Sequence, residues 1–419
     1  MRLNKLFRLR LLLLLSTALL FACKGKDDNP VPAPFAQLRV PQSFDWLSIR
    51  NLIINVTVNE GHNGLVMDLL DDRGNRIERS VIVDNRARFN VRMSTAELDV
   101  VIKSPVSGQQ IKIPAVNTTE FFALNADTRE IWEATPDTDG DSIPDLWDDF
   151  PNDPTLAFEQ RVPYLGEHFY LFDEGWPALG DHDFNDLVFS TVTTYKYSPQ
   201  RRLVSGSVAL KLLAVSLNED MGLGLELFSS IAGSTYAYTF GTAASFNGVT
   251  PDDSINNGAI IFNNYKDVQT VPYNNNGVGP SAVPELIQFS FDWNANIGGD
   301  YAWPNFYLFR TSNRQREIHV FGYPPTLMAD FAEFSTLDDA SIRRWNWGGS
   351  FAMPNAFYRS YRNLPWSIEF FQRDFVPVRE GFNITQAYPL LINWAENAGA
   401  TNLNWRNFPD NRYVFRVPQ

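Results

Sequence analysis

Five aspartates crowd into twelve residues: Asp137, Asp139, Asp141, Asp145 and Asp148 occupy positions 1, 3, 5, 9 and 12 of the stretch 137–148. Hard divalent cations of calcium's size take about 6–8 oxygen ligands at ~2.3–2.6 Å. A short loop can supply them only if alternate carboxylates turn inward along a tightly coiled backbone. Asp137, Asp139 and Asp141 give that alternation, the carbonyl of Ile143 would take position 7, and Asp145 and Asp148 would close the shell. Left empty, such a loop is costly, because unit charges 4 Å apart repel by ~1 kcal/mol even at water's dielectric. The spacing predicts a calcium site; the alternative is an acidic, solvated linker. A second cluster follows in Asp181, Asp183, Asn185 and Asp186, with Asp173 able to join across a turn. It reads either as a second, weaker calcium site or as a turn whose Asp and Asn side chains bond local amides.

Other chemistry is sparse. The four histidines, His62, His168, His182 and His319, are scattered and none has zinc-ligand spacing. Nucleophile elbows, phosphate loops and dinucleotide fingerprints are missing from the sequence. Paired carboxylates ~5–9.5 Å apart could hydrolyse a glycoside, and Glu167, Asp173 and Glu174 beside Trp176 are the place to look. The expectation is a protein without catalysis, with a glycan hydrolase as the alternative. Trp303, Trp345, Trp347, Trp366, Trp394 and Trp405 fall in the second half. Most should be core. Trp345 and Trp347 alternate in front of Gly348-Gly349 and are the candidates for stacking on a glycan or a surface protein.

The N-terminus sets the compartment. Arg2, Lys5, Arg8 and Arg10 precede an apolar run from Leu11 that ends at Ala22-Cys23. A basic region, a short apolar region and a small residue before the cut make a secretory signal peptide over 1–22. The run is shorter than the ~20 residues a spanning helix needs. Cys23 is the only cysteine, so no intramolecular disulfide can form. Leu20-Phe21-Ala22-Cys23 resembles a lipobox, which marks Cys23 for lipidation; an ordinary signal peptide with an incidental cysteine is the alternative. Residues 23–35 form a polar, proline-rich tether. Its start, Lys24-Gly25-Lys26-Asp27-Asp28, resembles the surface-export signal of Bacteroidota lipoproteins and implies a lipid-anchored, surface-exposed place on a bacterial outer membrane. Cleavage takes four positive charges from a formal −13 and leaves −17. That charge argues against nucleic acid as a partner and suits cation binding.

These residues need a scaffold, and aromatic-rich composition with frequent Gly, Pro and Asn predicts one that is mainly β. Strand-like runs at 52–58, 65–70, 88–93, 99–102 and 110–113 suggest a small N-terminal β-sandwich over 36–116. Residues 117–159 are a linker carrying the acidic loop. A bound ion there would turn a flexible connection into a rigid joint, with Trp147 packing on a neighbour. Residues 160–419 form a large β-rich domain, sandwich or jelly-roll-like, with strands at 187–193 and 203–213. One helix is expected over 387–398, with Leu391, Trp394, Ala395 and Ala398 as its apolar stripe and Gly399 as its cap.

The loop resembles an EF-hand but departs from it at Gly140, Ser142 and Asp148, and is closer to a thrombospondin type 3 repeat. With the 181–188 stretch, Arg316–His319, Gly322–Thr326, Asn363–Trp366, Ile384–Pro389, Trp394 and Asn402–Trp405, it resembles the LruC-domain family of bacterial exported lipoproteins. That resemblance covers about 130–419. It implies an envelope protein and supplies no enzyme activity.

Overall fold

The N-terminal strands are β1 (Ile49–Val58), β2 (Val66–Leu70), β3 (Arg76–Val81), β4 (Arg86–Ser94), β5 (Asp99–Lys103), β6 (Gln110–Pro114) and β7 (Thr118–Phe122). Among them, β1 and β5 alternate buried and half-exposed residues along most of their length, as strands with one face on a core do, while β2 is buried throughout. Together these strands make a three-stranded sheet, β4-β1-β7, and a four-stranded sheet, β3-β2-β5-β6. Leu52, Ile54, Val56, Met67, Phe89 and Ile102 are all buried in one apolar cluster, so both sheets close over shared packing. This is a computed structural model, and it describes residues 34–229, 244–268, 286–294, 302–341 and 357–415. Cys23, the signal peptide, the tether up to residue 33, and Trp345 and Trp347 lie outside the described residues.

A short helix, α1 (Thr128–Glu133), leads into the acidic stretch. Beyond it come β8 (Phe158–Val162), β9 (Glu167–Phe172), β10 (Leu187–Tyr197), β11 (Leu203–Val215), β12 (Met221–Ser229), β13 (Ala244–Asn247), β14 (Thr250–Pro251) and β15 (Gly258–Phe262). After α2 (Tyr265–Val268), β16 (Leu286–Trp293), β17 (Ala302–Arg310), β18 (Asn313–His319) and β19 (Ser367–Gln372) complete the strands. They form a seven-stranded sheet, β13-β16-β11-β10-β9-β19 with β8 also on β10, and a five-stranded sheet, β14-β15-β12-β17-β18. The fold is mainly β, built of antiparallel sheets with little helix, as composition predicts. The helices α3 (Ile384–Ala387) and α4 (Leu390–Glu396) follow. α4 is shorter than the predicted 387–398: Leu391, Trp394 and Ala395 are buried, but Ala398 is exposed and left-handed at φ 50°. Gly399, at φ 76°, donates its amide to Trp394 O at 2.8 Å and ends the helix.

Residues 35–47 depart from the sequence reading, which gives Phe35 to the tether and the rest to the small β-domain. Phe35, Leu38, Val40, Phe44 and Trp46 are buried with Trp394, Trp405 and Tyr388 in a second cluster. Phe44 meets Trp394 edge-on at 4.9 Å, and Trp46 Nε1 donates to Asn363 O at 2.6 Å. Apolar side chains with no period had nothing local to reveal this partner.

Residues 34–419 form one compact unit, and buried charges stitch its N-terminal and C-terminal sheets. Arg92 on β4 reaches Glu369 Oε1 on β19 at 2.5 Å and Tyr323 Oη at 2.7 Å. Glu369 Oε2 lies 2.8 Å from His168 Nε2 on β9. All three side chains are almost wholly buried, and burial lowers His168 to about 4, so its imidazole is neutral at pH 7. Removing one member of such a set strands the others without water, which typically costs ~3–5 kcal/mol.

Candidate cation sites

The acidic loop begins just after α1 and is closed by Asp145 N donating to Pro136 O at 2.8 Å. Its coil needs left-handed residues, and Gly140 (φ 80°) and Ser142 (φ 83°) supply them. Glycine takes that conformation freely; for serine it costs about 1–2 kcal/mol. Asp137 accepts from Gly140 N at 2.8 Å and from Ser142 N at 3.0 Å. Asp139 accepts from Asp141 N at 3.2 Å, Asp141 from Ile143 N at 2.7 Å, and Asp148 from Phe150 N at 2.6 Å. These bonds use one oxygen each. The remaining Oδ2 of Asp139, Asp141 and Asp148 is buried and has no hydrogen-bond partner. One oxygen from each of Asp137, Asp139 and Asp141 falls within 4.8 Å of the others.

Electrostatics mark the same atoms. Burial, reinforced by repulsion from Asp139 and Asp137, pushes Asp141 up to about 6. Burial, with Asp141, Asp139 and Asp149 adding repulsion, pushes Asp148 up to about 7. Asp145 goes the other way, its carboxyl held below the usual range by Thr138. Both Asp145 oxygens accept from Thr138, one from the amide and one from the hydroxyl, at 2.7 Å each. Asp145 therefore braces the loop through Thr138, and its oxygens are not among those that gather with Asp137, Asp139 and Asp141. The Ile143 side chain is buried in the main core, while its amide caps Asp141.

The loop is clamped where it leaves. Trp147 stacks on Trp132 of α1 with ring centroids 5.0 Å apart and planes at 8°. Its carbonyl accepts from Arg79 Nη1 at 2.7 Å, and Arg79 is itself paired with Asp68 at 2.6 Å. Arg76 holds both oxygens of Asp149 at 2.8 Å. Asp149 also accepts from Glu159 N, beside β8, at 2.9 Å. The arginines of β3 thus bind the loop to the N-terminal sheets, a role no motif announces.

The second cluster divides between its two sequence readings. Asp173 accepts from Gly175 N at 3.2 Å and His182 N at 2.8 Å; Asp186 accepts from Glu174 N at 2.6 Å. Asn185 donates to Val378 O at 3.3 Å and accepts from Ser216 Oγ at 2.6 Å. These three residues hold the turn. Gly180 lets them do so, because a Cβ there would sit 1.8 Å from Asp173 Oδ1. Asp181 and Asp183 instead gather with Glu380, their oxygens within 4.8 Å of one another. Glu380 is some 200 residues away and carries no local signal. Burial first, then Asp181, pushes Asp183 up to about 9. Burial and the same neighbour push Asp173 up to about 7.

The residues considered for catalysis are occupied. Glu167 pairs with Lys211 at 3.0 Å and accepts from Ser190 Oγ at 2.5 Å. Glu174 accepts from Asn218 N at 3.0 Å. Trp176 is buried, its Nε1 donating to Asp339 at 3.1 Å. Trp303, Trp366, Trp394 and Trp405 are core residues, as expected for most of the tryptophans.

A family model described as "Domain of unknown function (DUF4842)" matches residues 205–405. The matched span includes Glu380 but neither the acidic loop nor the 181–186 turn. No curated protein matches the chain. Among solved structures, the chain is similar to a protein from Bacteroides ovatus named as a candidate lipoprotein, at 15% identity and a TM-score of 0.44. That similarity covers 88% of this chain and 99% of the other.

Proposed function

We propose that this chain is an exported lipoprotein, anchored to the envelope through Cys23, whose fold is completed by calcium in the acidic loop and which binds or supports rather than catalyses. One observation carries the calcium reading: Asp139, Asp141 and Asp148 each hold an unpartnered, buried oxygen in one loop. A buried carboxylate without a partner is costly, and it persists where a cation or a proton offsets it. The donor set is all oxygen, which favours a hard ion, and a carboxylate-rich coiled loop of this length suits calcium. A non-catalytic role is supported by Glu167, Asp173 and Glu174, whose carboxylates all serve structural bonds.

The ion's work would be at the seam. Its loop is held by β3 through Arg79 and Arg76, and touches β8 through Asp149. Filling it would fix the path of the chain between the N-terminal and C-terminal sheets. Calcium at 100 times its Kd stabilises by about 2.7 kcal/mol. For a chain of this size that is a rise in Tm on the order of 5 °C over the same protein in chelator. Asp139→Ala with Asp141→Ala removes most of that rise. Identical wild-type melting curves in calcium and in chelator would refute the reading.

The anchor is supported by the lipobox at Leu20–Cys23 behind a basic and apolar leader, and the resemblance to LruC-domain lipoproteins agrees with an envelope location. Acyl chains gain about 0.8 kcal/mol per buried methylene, and stable anchoring takes more than one chain. Cys23→Ser releases the protein from membranes, and mass spectrometry of the wild type finds Cys23 acylated. A free Cys23 thiol on a soluble wild-type protein would contradict this.

A further inference from the structure

The turn at 181–186 was read from sequence as one local cluster, yet its unsatisfied carboxylate points elsewhere. Asp183 is 2% exposed, and its Oδ2 has no hydrogen-bond partner, while Oδ1 accepts from Asn185 N at 3.0 Å. The groups that share its space are Asp181, on the same turn, and Glu380, from the loop after β19. Three acidic oxygens converge there, one of them almost wholly removed from water. Like charges so placed repel, and burial of one makes the arrangement worse. A turn that merely capped its own amides would leave none of this.

We infer that Asp181, Asp183 and Glu380 form a second calcium site, independent of the acidic loop, that clips residues 378–384 onto the 181–186 turn. The ligand class follows from the donors. All are carboxylate oxygens, and the nearby His182 ring packs against Phe35 with centroids 5.0 Å apart. An oxygen-only set selects a hard cation. Magnesium is commonly held through one or two carboxylates and keeps several waters, whereas calcium accepts a third carboxylate and irregular geometry. Asp181 and Glu380 are exposed, so water can complete the shell.

The clip has a place to act. Asn383 Nδ2 donates to Asp181 O at 2.9 Å, and Ile384 N donates to His182 O at 3.1 Å. Asn383 Oδ1 in turn accepts from Phe35 N at 3.1 Å. The ion therefore secures the point where Phe35, near the start of the described residues, is held against Asn383.

Calcium bound per chain, measured by equilibrium dialysis of the detergent-solubilised mature protein, tests this. Glu380→Gln binds one ion fewer than wild type, and Asp139→Asn with Asp141→Asn leaves the Glu380-dependent ion in place. Because Glu380 is exposed, the variant keeps wild-type circular dichroism and wild-type melting in chelator. Equal calcium stoichiometry in wild type and Glu380→Gln overturns the inference, whatever the loop does. Loss of every ion in the loop variant alone overturns it too. An ion that survives the loop variant and is lost on Glu380→Gln upholds it, even if the loop itself binds nothing. Displacement of that ion by magnesium at equal concentration overturns the assignment to calcium.

Discussion

Asp141 and Asp148 are the residues whose protonation would compete with the proposed ion. Both carboxyls titrate high in the calcium-free fold, at about 6 and about 7, because burial disfavours their charge. The usual carboxylate value is near 3.8. A raised value in the folded state means a contribution to stability that is complete below the ordinary pKa and lost as pH rises through about 6 and 7. On the proposed reading, calcium would bind the charged forms, compete with these protons and restore at neutral pH what their ionisation removes. Calcium titrations at pH 5.5 and pH 8 should give affinities that differ on the order of 10-fold or more, the tighter at pH 8. Equal affinities would show that neither carboxylate is a ligand. The loop's aspartates were legible because their spacing is local. The two hydrogen bonds that Thr138 gives Asp145 carry no signal in the spacing. Glu380 was illegible, since its partners are brought to it only by the fold.

At the scale of elements, alternation exposed most of the strands in the N-terminal region. β1, β2, β4, β5 and β6 each contain a run read from sequence, because each carries apolar or β-branched residues between turn signals. β3 was missed. Its sequence, Arg-Ile-Glu-Arg-Ser-Val, looks solvent-exposed, yet Glu78, Arg79 and Ser80 are buried. Arg79 pairs with Asp68, and Arg201 reaches Glu78 at 2.5 Å while donating to Arg79 O at 2.7 Å. Period-two patterning sees polarity and cannot see pairing. The helix at 387–398 was legible in kind and wrong in length, because the left-handed backbone at Ala398 ends it early. Segment 35–47 has no period at all, and only the tertiary fold reveals its partners.

Across the described residues, several arrangements cross between the N-terminal and C-terminal sheets, Arg201 on Glu78 among them, and two of them differ in kind. One is the buried Arg92–Glu369–His168 set. The other is the acidic loop, whose carboxylates are unsatisfied without a cation. The first needs no cation, so calcium should change local opening at the loop more than the outline of the protein. Amide exchange follows such opening residue by residue. The central claim, that an ion sits in 137–148 and braces the seam, is tested most directly by hydrogen–deuterium exchange of the mature protein in calcium and in chelator. The account predicts slower exchange in calcium across 137–150, extending to residues 76–81 of β3 and 158–162 of β8, with the strands remote from the seam unchanged. Exchange in 137–150 that is the same in both buffers would contradict it.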